Sequence, residues 1–524
     1  MTESYQKNLQ LLEKQNPLLA LKLRLLKPTQ EPSQKATFQP NTKTEILYVY
    51  GVGSCYDNLK KWLRGNPARR LIFIEDEQER FGYFLNQVET ERVLLDPQVQ
   101  LIALIDSDGR SLEKVIQKYL FRPYECLIMP WKNDQFLTHF SDLYLQCEMM
   151  MCLYRDYGVP QMKNIFANLK REAYLGETFR EKFANIPAII CGAGPSLEKN
   201  CDVLKTLGDS ALIFAGGTAL ALLEKQGVPI HFGASIDPDP PLERYETTDL
   251  PFFYQNQVAQ NLLEMAKGPL ICLGGSGGFP LEQWLSPDIL SFDGGTHVGT
   301  FLAHVATLLG CSPVIFVGMD GCRRGETLYY EGVVEQRRSD PLIVEDRFGE
   351  VAQSRRDFIL GRRWLEKFAT DHPKTLFLNA TEGGLSMAGI EDLSLQEVKT
   401  HYLTKKVDAR ALWQEASQSH TPVSFAPQLA QLKKSVTYCS EICDNLLATI
   451  QRNITGEHVE YSMLDQELSE EVFYELLLLP CWKMWQPFLQ NDEVLSKMQE
   501  IELEKRVQQT LFYRDLCEQY ARIL

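Results

Sequence analysis

The chain has 524 residues, of which 44% are apolar, 10% aromatic and 23% charged, and its formal net charge is −15. This length exceeds one ordinary core and predicts two to four domains, and the apolar fraction excludes a wholly disordered chain. The acidic balance argues against a protein whose main task is to coat nucleic acid or an anionic membrane.

Cysteine usage and the N-terminus predict a protein of a reducing, cytoplasmic compartment. The 13 cysteines include no CxxC pair, so neither a disulfide framework nor a zinc site is expected. The polar start MTESYQKNLQLLEKQNPLL lacks the apolar core of a signal peptide. The stretch from Thr296 to Met319 carries no Asp, Glu, Lys or Arg, but its glycines, Ser312 and Pro313 favour a buried helix, a turn and a buried strand over a membrane span.

The N-terminal part alternates between strand and helix patterns. Residues 1–44 predict a helix followed by a linker rich in Pro, Thr and Gln. Residues 45–185 carry the apolar runs ILYVYGVGS, RLIFIED, VQLIALID and ECLIMP, with helical patterns between them and a helical stretch from 136 to 184. Strands separated by helices imply βαβ units and a parallel sheet, so we predict a Rossmann-like N-terminal domain.

Residues 186–395 form a second, longer α/β series, and residues 396–524 have the heptad-like spacing of an all-helical C-terminal domain. Several strand-like runs of the α/β series end in Gly or Asp, at the edge where an open parallel sheet binds ligands. The expected fold class is therefore α/β, with a doubly wound core between the two flanking domains. The predicted core strands are 187–194, 211–217, 230–237, 251–256, 269–275, 289–295, 313–320 and 375–381.

The strongest local signal is the run from Ile190 to Leu197, ICGAGPSL. A strand leads into Gly192-Ala193-Gly194, and a helix begins at Pro195-Ser196, because proline suits the first helical turn. The glycines let a ligand approach the backbone, and the helix N-terminus favours an anion such as phosphate. Leu197 replaces the third glycine of a dinucleotide fingerprint, and no P-loop lysine follows, which argues against NAD and P-loop nucleotide sites. A plain strand-to-helix turn is the alternative.

Two further strand ends carry candidate chemistry. Ser235-Ile-Asp237-Pro-Asp239 resembles the acidic pairs that hold a divalent cation against a diphosphate, or else forms a solvated turn built by proline. Asp293-Gly294-Gly295-Thr296-His297 opens the uncharged helix and suits an anionic or polar ligand. His297 is a candidate general base, because an imidazole titrates near neutral pH, whereas His304 is expected to be a core histidine.

A fourth candidate is Asp320, which ends a buried strand and could serve as a base or a ribose contact. The charged segment that follows is either a lid that brings cations to a phosphate or a solvated insertion. The run Asn379-Ala-Thr381-Glu382-Gly383-Gly384 ends another strand at the same predicted edge. The arginines of the charged segment are Arg323, Arg324, Arg337, Arg338, Arg347, Arg355 and Arg356.

The N-terminal domain carries a weaker signal of the same kind. Gly51-Val-Gly53 follows the first strand, and Glu75 or Asp76 ends the second, as in pockets that bind a nucleotide or S-adenosylmethionine. The glycine loop is short, and Ser54-Cys55-Tyr56 replaces its third small residue. A purely structural Rossmann-like domain is the alternative.

Residues 187–395 resemble the core of the motility-associated factor (Maf) glycosyltransferases, which share this domain with archaeal MptE-type 6-hydroxymethylpterin diphosphokinases. The matching pieces are CGAGPSLEKN, FAGGTALALLEKQGV with Gly216-Gly217-Thr218, SIDP, VGMD and LNATEGGLSMAGI, in this order. The N-terminal GVGSCYDNLKKWL and the helical C-terminus also look like the Maf layout. The resemblance thus extends over most of the chain.

The resemblance implies transfer of a nonulosonic, sialic-acid-like sugar from a CMP-activated donor to Ser or Thr of flagellin or another surface protein. The resemblance also implies that the core of this chain is similar to bacterial sialyltransferases. Gly192, Gly194, Pro195 and Ser196 would contact the nucleotide phosphate, the segment at Thr296 would hold the cytidine side, and Asp320 would line the same edge. A base would deprotonate the acceptor hydroxyl. No cofactor or metal is implied for this reaction.

Two other functions remain open. The first is MptE-like pyrophosphoryl transfer from ATP to a hydroxymethylpterin, which needs magnesium, although those enzymes are essentially the core alone. The second is a non-catalytic nucleotide-fold scaffold whose helical domain binds a protein partner. The run Asp320-Gly-Cys-Arg-Arg324 departs from the usual family sequence and favours the scaffold.

Overall fold

The computed structural model of the protein describes residues 2–15, 17–24, 36–53, 55–104, 110–120, 122–275, 281–285, 292–323, 342–457, 459–489 and 499–524. The chain divides into two compact units. The N-terminal unit comprises residues 1–156 and 481–508, and the core unit comprises residues 157–480 and 509–524. The four-part division expected from the sequence stays a prediction.

The N-terminal unit is built on four parallel strands in the order β3-β2-β1-β4. Leu47 and Val49 face the cluster of the first five helices, whereas Tyr48 faces the cluster of α6 and α7, because successive side chains of a strand point to opposite faces. Both faces are covered, as a parallel sheet requires. The strands are β1 (Ile46–Tyr50), β2 (Arg70–Glu75), β3 (Val99–Ala103) and β4 (Tyr124–Ile128).

Between residues 1 and 169, the described part of the chain forms seven helices beside this sheet. The last of them is kinked at Gly158, whose backbone angles (φ 15°, ψ −110°) are not helical, two residues before Pro160. The helices are α1 (Glu3–Gln15), α2 (Pro17–Leu23), α3 (Tyr56–Arg64), α4 (Gln78–Asn86), α5 (Thr90–Leu94), α6 (Arg110–Lys118) and α7 (Gln135–Leu169).

The core unit contains a nine-stranded parallel sheet in the order β16-β15-β11-β6-β7-β8-β9-β10-β5. From the central β6 the chain winds one way through β7 to β10 and later returns to the other side at β11, which is the doubly wound arrangement expected from the sequence. The strands are β5 (Tyr174–Leu175), β6 (Ala188–Cys191), β7 (Leu212–Gly216), β8 (Phe232–Ser235), β9 (Phe252–Gln255), β10 (Leu270–Leu273), β11 (Val314–Val317), β15 (Phe377–Asn379) and β16 (Glu391–Asp392).

Helices cover both faces of this sheet. Ile189 on β6 packs in the cluster that includes Leu197 and Leu220, and the adjacent Ile190 packs on the other face with Phe301. The near-continuous apolar strands are explained by this two-sided burial. The helices are α8 (Leu197–Lys205), α9 (Thr218–Gln226), α10 (Gln260–Met265), α11 (Leu281–Leu285), α12 (Val298–Leu308) and α13 (Arg356–Asp371).

The regular structure that follows is helical, as expected for residues 396–524. The helices are α14 (Leu395–Tyr402), α15 (Ala409–Gln418), α16 (Ala426–Ile454), α17 (Ser462–Glu470), α18 (Leu479–Leu489) and α19 (Gln499–Ile523). A π-helical turn, Tyr474–Leu478, precedes α18. Among the described residues, none of the helices has the length and apolar character needed to cross a bilayer.

Two sequence predictions differ from the structure. The expected strand 289–295 is absent from its described part, 292–295, and residues 289–291 lie outside the described range. The charged segment after Asp320 is more than a loop, because β12 (Cys322–Arg323), β13 (Leu342–Glu345) and β14 (Val351–Ser354) form a small antiparallel sheet in the order β12-β14-β13. Arg324, Arg337 and Arg338 lie outside the described residues.

Candidate functional site

The candidate site lies where the winding of the core sheet reverses. The crevice between β6 and β11 is the topological switch point, and ligands of open α/β sheets bind outside the carboxyl ends of the strands at such a point. The run from Gly192 to Ser196 follows β6, and Asp320 follows β11. The strongest sequence signal and the predicted acid therefore flank one crevice.

Asp320 and Ser196 are directly bonded. Ser196 Oγ donates to Asp320 Oδ2 over 2.7 Å, and the Ser196 backbone N–H donates to the same oxygen over 3.3 Å. Asp320 is only 6% exposed, so burial raises the pKa of its carboxyl, while the two bonds from Ser196 oppose that shift. The acid thus clamps the first turn of α8 to the end of β11.

The glycines of the first turn permit this close approach. A Cβ atom on Gly194 would lie 2.0 Å from Asp320 Oδ2, and one on Gly192 would lie 2.5 Å from the carbonyl oxygen of Gly318. The N–H of Gly194 donates to that same carbonyl over 2.9 Å. Any side chain at Gly194 would therefore displace the carboxylate or the turn.

The turn after β15 also surrounds Asp320. Thr381 is fully buried and its Oγ1 accepts from the N–H of Met319 over 3.3 Å. A Cβ on Gly383 would lie 2.9 Å from Asp320 Oδ1. Glu382 takes a positive φ of 59° and its Oε1 accepts from the N–H of Leu395 over 3.1 Å. The structure thus brings Thr381, Glu382 and Gly383 beside Asp320.

The other glycine turns lie along the same edge. Gly216 ends β7, and a Cβ there would lie 2.3 Å from Cγ2 of Val298, the first residue of α12. Gly217 has a positive φ of 54° and precedes Thr218, which begins α9. The start of α12 therefore rests against the end of β7, which brings residues 216–218 and 294–298 together.

Met319 links these two clusters. A Cβ on Gly192 would lie 2.9 Å from its Sδ, and one on Gly299 would lie 2.6 Å from the same atom. The sequence alone does not predict this role of Met319. It does not predict one for Lys199 either, an exposed residue in the first turn of α8 whose Nζ lies 3.5 Å from the carbonyl oxygen of Glu382. Lys199 stands within the GAGPSLEKN motif, which was the available signal.

His297 forms the N-terminal cap of α12. Its Nδ1 accepts from the N–H of Thr300, and the Thr300 hydroxyl accepts from the N–H of His297. A Cβ on Gly361 would lie 2.3 Å from its Nε2, so the ring is closely covered. Burial lowers the pKa of His297 to about 4. The neighbouring Thr296 donates from its hydroxyl to the carbonyl of Asp357.

The capping role predicts a pH effect on stability. Because the folded pKa of His297 is about 4, below its ordinary value, the unfolded chain binds the proton first as the pH falls. The contribution of the neutral His297 ring to the free energy of unfolding is fully present above about pH 6.5 and is lost as the pH falls towards 4. At ~1.4 kcal/mol per unit, with allowance for partial solvent exposure, we expect a loss of about 2–3 kcal/mol. Urea unfolding of the core unit at several pH values measures it.

The matched variant is His297→Asn, because asparagine is a good N-cap that does not titrate in this range. It should stay within about 1 kcal/mol of the wild type at neutral pH and lack the acid-dependent loss assigned to His297. An unchanged acid profile in the variant would show that another group causes the loss.

Ser235 ends β8 and Asp237 follows it, three strands from β11. At ~4.8 Å per strand, Asp237 and Asp320 are separated by roughly 14 Å. Asp237 Oδ1 accepts from the N–H of Asp239 over 3.0 Å, so the pair forms a local turn. Ser235 is buried, and the carbonyl of the preceding Ala234 accepts from the N–H of Gly217. These residues therefore border the turn at 216–218, after β7, and not the Asp320 cluster.

The described arginines of the charged segment have partners in the chain. Arg347 pairs with Asp392 over 3.0 Å, and its backbone N–H donates to the carbonyl of Gly384. Arg355 makes an ion pair with Asp357, and Arg323 Nε donates to Gln353. The small sheet is thus tied to the turns of the site. The lid function stays a prediction.

Comparison with known proteins supports the sequence-based resemblance. Residues 161–326 match the family described as 6-hydroxymethylpterin diphosphokinase MptE-like. An uncharacterized protein of Treponema pallidum (strain Nichols) is 27% identical over 170 residues, which cover 29% of this chain and 77% of that protein. A solved structure, a MAf glycosyltransferase from Magnetospirillum magneticum AMB-1, is similar with a TM-score of 0.54 and 15% identity, over 100% of this chain and 83% of that one.

The predicted resemblance is therefore confirmed for the domain and the fold. The chain contains an MptE-like domain, and it has the fold of a Maf glycosyltransferase. The predicted α/β fold class is confirmed as well, whereas the similarity of the core to sialyltransferases stays a prediction.

Proposed function

We propose that the core unit is a glycosyltransferase that uses a nucleotide-activated sugar and binds the donor at the switch point between β6 and β11. The observation that carries this proposal is the glycine turn 192–194, which begins α8 directly beside the buried Asp320. The MptE-like domain and the Maf-type fold support a nucleotide-dependent transfer reaction.

The donor phosphate is assigned to the first turn of α8. This helix has nine residues, its N-terminus follows two glycines, and its dipole favours a negative charge there. Lys199, on the same turn, is exposed and adds a positive charge. The helix N-terminus and the ammonium together would stabilise the negative charge that grows on the departing phosphate.

The nucleoside is assigned to the second cluster, formed by residues 216–218 and 294–298. Glycines at 216, 217, 294 and 295 keep side chains away from this part of the edge, and the first turn of α12 adds a second helix N-terminus. The adjacent Ser235 and Asp237 would border the sugar or the ribose. This assignment keeps the sequence-predicted binding residues in one continuous strip.

Asp320 is the best-placed base. Its carboxylate already accepts a hydroxyl proton donor, Ser196 Oγ, over 2.7 Å, and burial raises its pKa towards the range of a general base. The acceptor hydroxyl would pass its proton to Ser196 Oγ as the Ser196 proton moves to Asp320. The acceptor oxygen bonds to the anomeric carbon, and the sugar–phosphate bond breaks with its electron pair on phosphate.

His297 suits the base role less well. Its Nδ1 already accepts the N–H of Thr300, and a pKa of about 4 makes it a weak base at neutral pH. We therefore assign His297 to positioning the start of α12 next to the bound nucleoside.

The finer identity of the substrates follows from the family resemblance. We propose a CMP-linked nonulosonic acid as the donor and Ser or Thr of flagellin or another surface protein as the acceptor. The match of residues 161–326 to MptE-like domains keeps magnesium-dependent pyrophosphoryl transfer from ATP to a hydroxymethylpterin as the second candidate.

Thermal denaturation with CMP, CTP, UDP, ATP or S-adenosylmethionine, each with and without magnesium, tests these assignments. A ligand at 100 times its dissociation constant stabilises the folded state by about 2.7 kcal/mol. We expect stabilisation by CMP without magnesium. A response to ATP that needs magnesium would favour pyrophosphoryl transfer, and no response to any of the five would favour a protein-binding scaffold.

A further inference from the structure

The N-terminal unit has a switch point of its own. Its strand order, β3-β2-β1-β4, places the reversal between β1 and β4. The turn that contains Gly51 and Gly53 follows β1, and Glu75 ends β2, as in nucleotide-binding sheets where the acid accepts the ribose hydroxyls. By the same rule that places the core site, a nucleotide would bind here.

The carboxylate of Glu75 is already engaged by the chain. It accepts from Lys132 Nζ and from the backbone N–H groups of Val52, Asp76 and Glu77, over 2.5 to 3.1 Å. A carboxylate oxygen has about two acceptor positions. Three of these donors reach Oε1, which leaves that oxygen no further position, and the Val52 N–H reaches Oε2. The side chain of Glu75 also has no exposed surface. The ribose hydroxyls that an acid in this position would bind are thus replaced by donors of the protein.

Lys132 enters the site from the segment after β4. Its side chain is 3% exposed, and Nζ also contacts Asp76 over 2.5 Å and Glu77 over 2.8 Å. The ammonium lies 4.9 Å from the centre of the Tyr50 ring. Burial alone would lower the pKa of Lys132, but its bonds to Asp76, Glu75 and Glu77 together outweigh burial and raise the pKa above its ordinary value, so the side chain is a cation at neutral pH.

The glycine turn is covered by the same segment. A Cβ on Gly51 would lie 2.9 Å from Cβ of Met129, and one on Gly53 would lie 2.6 Å from Cε of Met129 and 3.0 Å from the Trp131 ring. These glycines therefore accommodate the side chains of Met129 and Trp131.

We propose that Lys132 is a built-in occupant of the ligand place in the N-terminal unit, so that this unit binds no nucleotide and every nucleotide-dependent step belongs to the core. The ammonium supplies the hydrogen-bond donor and Met129 and Trp131 supply the bulk that a bound nucleotide would otherwise contribute. The N-terminal unit is thus a Rossmann-like module whose ligand place is filled by its own side chains.

Hydrogen–deuterium exchange of the full chain, with millimolar CMP, ATP or S-adenosylmethionine, tests this. We expect unchanged exchange in peptides covering 46–56, 70–80 and 124–134 with all three ligands. Protection of those peptides by any of them would overturn the inference. The core peptides 188–200 and 212–220 report separately on the proposed function, because failure of CMP to protect them refutes that proposal and leaves this one standing.

A second measurement tests the role of Lys132 directly. Lys132→Ala removes the ammonium and leaves space for a small amine, so ethylammonium chloride should raise its melting temperature while sodium chloride of equal ionic strength should not. The wild type should respond equally to the two salts. A variant as stable as the wild type would show that the ammonium is not needed there. A destabilised variant that responds equally to both salts would show that its loss has a cause other than the missing ammonium. The exchange measurement stands on the wild type if the variant does not fold.

Discussion

Replacing Lys132 with methionine is expected to destabilise the N-terminal unit by about 3–5 kcal/mol, the cost of leaving a buried charge without its partner. Glu75 is fully buried and would lose its only cationic neighbour within contact distance among the described residues. Methionine keeps most of the side-chain volume, so the loss reports on charge. Urea unfolding, followed by hydrogen exchange of the β1 and β2 peptides, measures it.

The stability deficit of Lys132→Met should depend on pH. Without the ammonium, burial raises the pKa of Glu75, so the carboxyl takes up a proton as the pH falls and the penalty of the buried charge disappears. The deficit of Lys132→Met should therefore shrink on acidification. The double variant Glu75→Gln/Lys132→Met should recover most of the loss at neutral pH. A double variant no better than Lys132→Met would contradict the charge explanation.

Gly194→Ala is expected to remove the nucleotide response of the core. The added Cβ would lie 2.0 Å from Asp320 Oδ2 and 2.7 Å from the carbonyl oxygen of Gly318, so the carboxylate or the turn must move. Overpacking of this kind costs about 1–3 kcal/mol, and loss of the bond between Ser196 and Asp320 adds about 1.5–3 kcal/mol. The stabilisation by CMP, about 2.7 kcal/mol at saturation, should vanish.

Gly82→Ala is the matched control for this prediction. Gly82 lies within α4, and a Cβ there would have no atom within 4 Å. Alanine in a helix interior is favoured over glycine by about 0.5–1 kcal/mol, so this variant should be slightly stabilised and should keep its response to CMP. A Gly194→Ala protein that unfolds like the wild type and still responds to CMP would refute the assignment of this turn.

The strands were predictable because two-sided burial makes them nearly continuous apolar runs. The residues of β6 and β11 are all buried, so both strands could be predicted. The glycine turn and Asp320 were then recognisable as the residues that follow these strands. Since carboxyl ends of parallel strands share an edge, these residues could be placed at one edge from the sequence. Which strands are neighbours could not be read, and neither could the bond between Ser196 and Asp320, because it joins residues far apart in the chain.

The expected strand at 289–295 shows what an apolar pattern leaves undetermined. Phe292 is buried, but its ring stacks on His304 and its carbonyl accepts from the Gln255 side chain. β10 pairs with β9 on one side and with β5 on the other. β5 has only two residues, Tyr174 and Leu175, and comes before the other strands of this sheet in the chain. A two-residue strand has no recognisable periodicity, so the sequence could not predict β5 at that edge.

Lys132 was missed for a similar reason. Nothing in the sequence around it distinguishes it from a surface lysine, and its three carboxylate partners lie more than fifty residues earlier. The signals that were read, Gly51, Gly53 and Glu75, are those of a ligand site. Their contacts become evident only when β4 is placed beside β1.

The pairing of β6 with β11 also bears on how the protein is made. Ala188 is paired with Val314, more than a hundred residues later, whereas β1 to β4 all lie within the first 128 residues. Contacts between distant segments form slowly, because the intervening chain must be closed into a loop first. On a ribosome, the central strand of the larger sheet therefore waits with one edge unpaired until β11 has been synthesised, and the bond between Ser196 and Asp320 cannot form before then. A translation pause before residue 320 would leave that edge open to pairing with another nascent chain.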